Sequence, residues 1–573
     1  MAAPNLRLTR FADSPRRISI HGAQLIGPGD LWYKDAVIYA INVETFQDSD
    51  GDGIGDFPGL TSRVDYLHAL GVTCVWLLPF HPSPNRDNRY DVANYYDVDP
   101  SLGSLGDFVD FLRAARERGI RVMIDLVVNH TSDQHPWFRA ARDRRSRYHD
   151  YYVWADTPPH DAGQGMMFPG VETSTWSLDD ACGRWYFHRF YRHQPDLNLG
   201  NPAVREEIRK IMGFWLELGV SGFRVDAAPF VIERKGIQPA DVEARRPHTF
   251  FRYMRGFLSW RRGDAALLAE ANILPDEVTD YVGTGDKLHM LFSFYVNQHT
   301  FLALATGRAE PLMIALQRLP ALPLSAQWAN FLRNHDELDL SRLSDEERGV
   351  VFEAFAPDAG MQIYERGIRR RLAPMLDNDR RRLELAHSIL LALPGTPVIR
   401  YGDEIGMGED LALDERFSVR TPMQWTSGRH GGFSTAPDNA TLVRPVICHG
   451  EYGIGIVNVA DQQRDPTSLL SWMQRAIGIR RGCPELSWGQ SCTLDVTEPS
   501  VLVLCSSAPE AALFCLHNLA DGRRDVAVDF GLADGDEMTE LFSDCEYPTV
   551  AAGRVELAPF GYRWLRVSRA ARD

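Results

Sequence analysis

Three acidic residues each close a short apolar stretch of this 573-residue chain. Asp226 ends the stretch that begins at Gly222, Glu270 follows Leu267–Ala269, and Asp336 lies further downstream. If these stretches are successive strands of a parallel barrel, the three carboxyl groups can meet at one rim. Two opposed carboxyl groups are what the chemistry of a glycosidic bond requires.

Arg224 lies two residues before Asp226, so both side chains leave the same face of a strand. A guanidinium keeps a neighbouring carboxylate ionised, as a nucleophile needs, whereas burial and nearby negative charge keep an acid catalyst protonated. A salt-bridge network at a barrel rim is the alternative interpretation of any one acid. The full set, together with His130 and His335, favours a catalytic site.

Alternating strand-like and helix-like segments must position these acids. Apolar runs predict strands at 36–41, 72–78, 120–128, 220–226, 265–270 and 394–399, as in parallel sheets that are buried on both faces. Helical patterns occur at 59–70, 105–118, 202–218, 249–262 and 466–481. The alternation predicts an α/β fold, a (β/α)8 TIM barrel.

Two segments depart from this alternation. Residues 131–197, rich in aromatic residues, His, Pro and Gly, predict an inserted lid subdomain after the third strand. Short β-type runs predict a C-terminal antiparallel β-sandwich domain from 486 to 573. The remaining chain divides into an N-terminal arm over 1–30 and a catalytic barrel over 31–130 and 198–485.

Composition restricts the partners and the location. The net charge of -16 argues against nucleic acid, because phosphate binding needs a cationic surface. No stretch resembles a membrane span of about 20 apolar residues, and the N-terminus lacks the apolar core of a signal peptide. Eight cysteines without a C-x-x-C pair predict reduced thiols and a cytoplasmic location.

Four short segments resemble the signature regions of the α-amylase superfamily, glycoside hydrolase family 13. They are 125–130, 222–226, 269–272 and 333–336, and they occur in the superfamily's order and spacing. The resemblance covers nearly the whole chain from Trp32 onward. It implies Asp226 as the nucleophile, Glu270 as the general acid/base and Asp336 as the transition-state stabiliser.

The same resemblance implies which residues line the pocket for the reacting glucose. They are Tyr90, Asp91, His130, Arg224, His335 and Arg420. Tyr90 matches the family's stacking tyrosine, and Asp91 matches the aspartate that grips the non-reducing end. In exo-acting relatives an arginine pairs with that aspartate and closes the pocket. Arg420 is the first candidate for this arginine and Arg416 the second.

Alternate aspartates on a Gly-rich loop between Asp48 and Asp56 form a second chemical motif. Such loops converge oxygen ligands on a hard cation, although the glutamate of an EF-hand is absent here. Similar loops in oligo-1,6-glucosidase-like members imply one structural Ca2+, held by Asp48, Asp50, Asp52, the Ile54 carbonyl and Asp56. An acidic turn without a metal is the alternative. No organic cofactor is expected.

Three stretches, 131–138, 369–381 and 401–408, resemble the trehalose synthase branch of the superfamily. This implies that maltose and trehalose are interconverted by intramolecular glucosyl transfer through a covalent glucosyl-Asp226 intermediate, with water excluded by the lid. Arg400 departs from the pattern, since relatives usually carry an aromatic residue there. The expected partners are small α-glucosides, namely maltose, trehalose or short malto-oligosaccharides, and the chain could form a homo-oligomer.

Two alternative functions remain open. The first is a retaining α-glucosidase or transglucosidase acting on short α-1,4-glucosides; Ala227, next to the nucleophile, resembles α-1,4-acting members. The second is a non-catalytic amylase-like binding subunit, which predicts the loss of at least one acid. All three acids and both histidines are present, so the sequence disfavours this second alternative.

Overall fold

Eight parallel strands close a barrel in chain order, which confirms the predicted (β/α)8 fold. The computed structural model describes residues 28–232, 235, 248–437 and 441–570, so most of the predicted N-terminal arm lies outside the described residues. The barrel strands are β1 (Ile38–Ile41), β2 (Cys74–Leu77), β3 (Arg121–Leu126), β4 (Gly222–Val225), β5 (Ala266–Ala269), β6 (Met290–Phe292), β7 (Gln327–Phe331) and β8 (Thr396–Arg400).

The strands are apolar because each one is buried on both faces. Trp76, Met123 and Leu268 pack together inside the barrel, whereas Val75 and Leu267 belong to the layer between the strands and the surrounding helices. Side chains alternate between the two faces of a strand, so a central strand needs apolar residues at every position.

Helices surround the barrel, and their ends follow local sequence signals. α3 (Leu105–Glu117) begins with a capping box between Ser104 and Asp107, while α5 (Pro202–Leu218) ends before Gly219, whose φ of 117° suits glycine. No helix in the described ranges is long and apolar enough to cross a membrane. The helices are α1 (Phe57–Ser62), α2 (Val64–Leu70), α3 (Leu105–Glu117), α4 (Pro136–Ala141), α5 (Pro202–Leu218), α6 (Ala228–Val231), α7 (Thr249–Arg261), α8 (Val278–Val282), α9 (Phe294–Thr306), α10 (Glu310–Arg318), α11 (Asp345–Phe355), α12 (Leu372–Met375), α13 (Arg380–Ala392), α14 (Val459–Arg464), α15 (Leu469–Arg481) and α16 (Glu485–Trp488).

The expectation that the three acids end successive strands was wrong. Asp226 follows β4 and Glu270 follows β5, but β6 then intervenes before β7. β6 has only three residues, too few to produce a distinct apolar run. Asp336 lies beyond the end of β7, on the loop that follows it.

The segment between β3 and α5, which we call the insert (131–197), folds as a small separate layer. It contains α4 and a three-stranded antiparallel sheet formed by Trp154–Ala155, Arg184–Phe187 and Trp176–Asp179. Three aromatic residues, Phe168, Tyr191 and Tyr364, join the insert to the segment between α11 (Asp345–Phe355) and α12 (Leu372–Met375). The insert therefore lies on the rim at which the barrel strands end.

The C-terminal strands form two antiparallel sheets, as predicted for a sandwich. The strands are β9 (Gln490–Thr493), β10 (Val501–Ser507), β11 (Ala511–Asn518), β12 (Arg524–Ala527), β13 (Glu537–Ser543), β14 (Arg554–Leu557) and β15 (Tyr562–Ser568), with β12 and β14 in the smaller sheet. Val503 and Phe514 of the larger sheet pack against Val526 and Val555 of the smaller one. The opposite face of the larger sheet, which includes Trp564, joins the core around the barrel.

Candidate active site

The guanidinium of Arg224 is the centre of the acid cluster. Its Nη1 lies 2.6 Å from Asp125 Oδ1 and 2.5 Å from Asp226 Oδ1, and its Nη2 lies 2.8 Å from Glu270 Oε2. The strand register explains this arrangement, since Asp125 of β3 is paired with Arg224 of β4, and Val225 is paired with Ala269 of β5. The two acids that directly follow β4 and β5 therefore meet on one cation.

Crowding perturbs the protonation of this cluster. Burial raises the pKa of Asp125 to about 6, against the opposing effect of Arg224. Burial, together with the carboxyl groups of Glu270 and Asp125, also raises the pKa of Asp226 well above its usual value, while Arg224 acts in the opposite direction. Asp125 and Asp226 lie on the same guanidinium, so they titrate together and can share a proton near neutral pH.

Backbone strain next to Asp226 fixes the position of Glu270. Ala227 has a φ of 48°, in the left-handed region that non-glycine residues rarely adopt. In this conformation its N–H donates to Glu270 Oε2 at 3.0 Å, and the N–H of Ala228 donates to the Glu270 carbonyl at 3.0 Å. Strain of this kind persists where the surrounding structure overdetermines it, as it does in active sites.

Asp336 is held by a histidine and two arginines. His335 Nε2 lies 3.0 Å from Asp336 Oδ2, while Arg416 Nη1 and Arg420 Nη2 each lie 2.7 Å from Oδ1. Burial alone would raise the pKa of Asp336, but His335 and the two guanidiniums hold it well below its usual range. Asp336 is therefore ionised at neutral pH. Both arginines lie in residues 415–420, which we call the Arg416 segment.

Tyr90 and His335 lie beside the acids, whereas the charged neighbours of His130 include Asp87 and Asp196. Tyr90 stacks on His335 with ring centroids 5.6 Å apart and an interplanar angle of 6°. Burial lowers the pKa of both His130 and His335 to about 4, so both are neutral near pH 7. His130 Nε2 is buried and has no hydrogen-bond partner among the described residues. A neutral imidazole in this position can bond to a sugar hydroxyl.

The predicted pairing of Asp91 with Arg420 was wrong. Asp91 Oδ1 accepts a hydrogen bond from Ser83 Oγ at 2.7 Å, and Asp91 Oδ2 lies 3.3 Å from Arg86 Nε. Asp87 occupies the expected place instead, with its Oδ1 2.8 Å from Arg416 Nη2. Arg416, the second candidate, thus makes the closest contact with the pocket aspartate.

Asp87 also connects the insert to the site. Gln194 of the insert donates from Nε2 to Asp87 Oδ2 at 3.0 Å. Burial would raise the pKa of Asp87, but Arg416 and Arg420 lower it below the usual value. Sequence reasoning missed both Asp87 and Gln194. The only available signal for Asp87 was its position three residues before Tyr90, in the same loop.

An aromatic contact covers this part of the site. The ring of Phe168 lies 4.4 Å from that of Tyr191 and 4.8 Å from that of Tyr364, and the Arg416 guanidinium lies 4.9 Å from the Phe168 ring. Glu415 Oε2 accepts hydrogen bonds from Tyr191 at 2.5 Å and from Tyr364 at 3.1 Å. The insert is thereby bonded directly to the Arg416 segment.

Three aspartates of the predicted calcium loop bring their carboxylate oxygens together. Asp48, Asp50 and Asp56 each offer a carboxylate oxygen, and these oxygens lie within 4.8 Å of one another. Asp52 is outside that group, and its Oδ1 accepts a hydrogen bond from Ile54 N at 2.7 Å. Three converging carboxylates on one loop fit a hard divalent cation.

Comparison with known proteins shows which family the chain resembles over nearly its whole length. Residues 40–352 and 368–489 match the family model of the alpha amylase catalytic domain. A trehalose synthase of Pimelobacter sp. (strain R48) is 40% identical over 567 residues, which cover 96% of this chain and 98% of that protein. A trehalose synthase of Thermus thermophilus is 42% identical over 539 residues, 93% of this chain and 55% of the longer relative. The crystal structure of the alpha-amylase from H. orenii matches with a TM-score of 0.75 at 27% identity, covering 94% of this chain and 100% of that one.

Proposed function

Since the chain belongs to the alpha-amylase family, we propose that it is a retaining enzyme that interconverts maltose and trehalose by intramolecular glucosyl transfer. The observation that carries the proposal is the pairing of Asp226 and Glu270 on the guanidinium of Arg224. Two carboxyl groups on one guanidinium favour the separation of about 5 Å typical of retaining enzymes. The near full-length similarity to trehalose synthases supports the choice of reaction.

In the first step, Asp226 attacks the anomeric carbon of the transferred glucosyl unit. As the glycosidic C–O bond breaks, Glu270 gives its proton to the departing oxygen. Glucose is released within the pocket, and the other glucosyl unit remains bound to Asp226 as an ester. The ionised Asp336 stabilises the positive charge that develops on the sugar ring.

In the second step, Glu270 accepts the proton of the anomeric hydroxyl of the released glucose. That oxygen attacks the anomeric carbon, the bond to Asp226 breaks, and the α,α-1,1 linkage of trehalose forms. Water in the same position would give free glucose, so the enzyme has to exclude it. The contact of Phe168 and Tyr191 with the Arg416 segment supports a closed pocket.

The pocket residues bind and orient the reacting glucose in this proposal. His130 Nε2, buried without a partner among the described residues, offers a hydrogen bond to a sugar hydroxyl. Tyr90 and His335 supply a stacked surface, while Asp87 and Arg416 close the end of the pocket. Each sugar hydroxyl needs a partner once water has left.

We further propose that the aspartate loop binds one Ca2+. Asp48, Asp50 and Asp56 would hold the ion, with Asp52 and the Ile54 carbonyl as further oxygen ligands. When bound, the ion would fix the loop that precedes α1 and would take no part in the reaction.

Incubation with maltose and excess 13C-labelled glucose tests the proposed reaction. We expect unlabelled trehalose, because the released glucose rejoins before it can exchange with the solution. Unlabelled free glucose without any trehalose would refute isomerisation and support the α-glucosidase alternative. Labelled trehalose would indicate intermolecular transfer. Asp226→Asn should abolish turnover, whereas the matched change Asp345→Asn, at a side chain that is 94% exposed, should not alter it.

A further inference from the structure

Arg400, the last residue of β8, connects two loops behind the active site. Its side chain is buried, and its Nη1 donates to the carbonyl of Asn334 at 2.8 Å. Its Nη2 donates to the carbonyl of Val419. Asn334 lies two residues before Asp336, and Val419 directly precedes Arg420. One guanidinium therefore bonds both loops whose side chains meet in the Asp336 cluster.

The ion pairs of Asp336 depend on the separation of these two loops. Arg416 and Arg420 come from one loop and Asp336 from the other, and both contacts measure 2.7 Å. Arg420 Nε also donates to the His335 carbonyl at 2.8 Å. A displacement of about 1 Å in such a site can cost about a hundredfold in rate. The reaction therefore depends on the relative position of the loop that carries Asp336 and the loop that carries Arg416 and Arg420.

We propose that Arg400 is a positioning residue for the reaction: by bonding the carbonyls of Asn334 and Val419, it sets the contact between Asp336 and the Arg416 segment. Loosening this contact lowers the rate of glycosidic cleavage. It also admits water beside Arg416 and shifts the products from trehalose towards glucose. The product shift rests on the proposed function, whereas the effect on the rate does not.

A buried cation at this position carries an electrostatic cost. Burial, with the nearby Arg371, lowers the pKa of Arg400 to about 9. Buried charges are retained where specific hydrogen bonds compensate for lost hydration. Both hydrogen bonds of Arg400 go to backbone atoms of the loops that it joins, and Asp403 and the Tyr401 ring, 5.4 Å from the guanidinium, also favour the charge.

Arg480 offers a matched control near the opposite end of the same strand. It is also buried, and its Nη2 donates to the carbonyl of Gly395, which directly precedes β8, at 2.7 Å. Burial lowers its pKa to about 10. Its other contacts are with Cys483 and Ser487, near α16. Arg480→Met thus removes an equivalent cation without touching the Asp336 cluster.

The test compares Arg400→Met and Arg480→Met in the full chain. Thermal unfolding gives the stability loss, hydrolysis of p-nitrophenyl α-glucoside gives kcat and KM, and maltose incubation gives the trehalose-to-glucose ratio. For Arg400→Met we expect kcat to fall roughly 10- to 100-fold with little change in KM, and the glucose share to rise several-fold. For Arg480→Met we expect a similar loss in Tm but nearly wild-type kcat and product ratio.

Equal kcat values and equal product ratios in the two variants would show that Arg400 has only a structural role, and would overturn the proposal. If wild-type protein makes no trehalose, the proposed function fails, but the comparison of kcat still decides the role of Arg400. If Arg400→Met does not fold, Arg400→Lys takes its place under the same criteria, because one ammonium group cannot reproduce the two-pronged contact.

Discussion

The Tyr191 hydroxyl allows a direct test of closure between the insert and the Arg416 segment. Tyr191→Phe removes the 2.5 Å hydrogen bond to Glu415 but leaves the ring that stacks on Phe168. Hydrogen bonds to charged groups contribute about 1.5–3 kcal/mol. The Tyr364 hydroxyl, 3.1 Å from the same oxygen, retains part of this energy. We therefore expect closure to weaken by about 1–1.5 kcal/mol.

This loss corresponds to roughly a fivefold to twelvefold increase in the population of the open insert. Because water competes with glucose only when the pocket opens, the glucose-to-trehalose ratio should rise by a similar factor. The ratio is measured by chromatography during incubation with maltose. Tyr191→Phe combined with Tyr364→Phe removes both hydroxyl groups from Glu415 and should raise the ratio further.

Tyr186→Phe supplies the control for this prediction. Tyr186 also lies in the insert, but its hydroxyl donates to the Arg192 carbonyl at 2.6 Å and does not reach the Arg416 segment. Its loss should lower Tm without changing the products. The reasoning is refuted if Tyr191→Phe and Tyr186→Phe give the same product ratio, since closure would then not depend on Glu415.

Three further predictions concern charge and metal. Arg416→Met removes one cation from Asp336, so the pKa of Asp336 should rise and the acid limb of the kcat–pH profile should move up by about 1 pH unit or more; an unmoved limb contradicts this assignment. If Ca2+ binds the aspartate loop, EDTA should lower Tm while kcat at 25 °C stays nearly constant. In Asp48→Asn, the Tm values with and without EDTA should be the same. Equal Tm values with and without EDTA in the wild type would contradict a calcium site. Burial lowers the folded-state pKa of His130 and His335 to about 4, below the unfolded value of about 6.5. As pH falls, the unfolded state therefore binds more protons than the folded state, and these histidines should lower the free energy of unfolding between about pH 6.5 and 4. Denaturant titrations should show that His335→Gln loses less free energy of unfolding over this pH range than the wild type does.

The parts of the site that follow from local sequence were predictable. Arg224 and Asp226 share a strand face because they are two residues apart, and their contact needs no knowledge of distant loops. Glu270 follows the adjacent strand, so the barrel register brings it to the same cation. The apolar runs that define β2 and β3 are the physical consequence of burial on two faces.

The failures arise where the backbone is irregular or the contact is distant in sequence. The loop that contains Asp87 and Asp91 has positive φ angles at Asn85, Asn88 and Arg89, so strand or helix periodicity cannot tell which aspartate faces the site. The hydrogen bond between Tyr191 and Glu415 joins residues 224 positions apart. No local pattern specifies such a contact between two loops.

The three ion pairs of Arg224 have a consequence for the interpretation of mutants. Because Asp125, Asp226 and Glu270 share one guanidinium, removing any one carboxylate changes the net charge felt by the other two. The free-energy effects of their substitutions should therefore be non-additive, with a coupling energy that a double-mutant cycle can measure. A large effect of Asp125→Asn would consequently not identify Asp125 as a group that reacts with the sugar. It would instead measure how strongly the charges on Asp226 and Glu270 depend on the charge of Asp125.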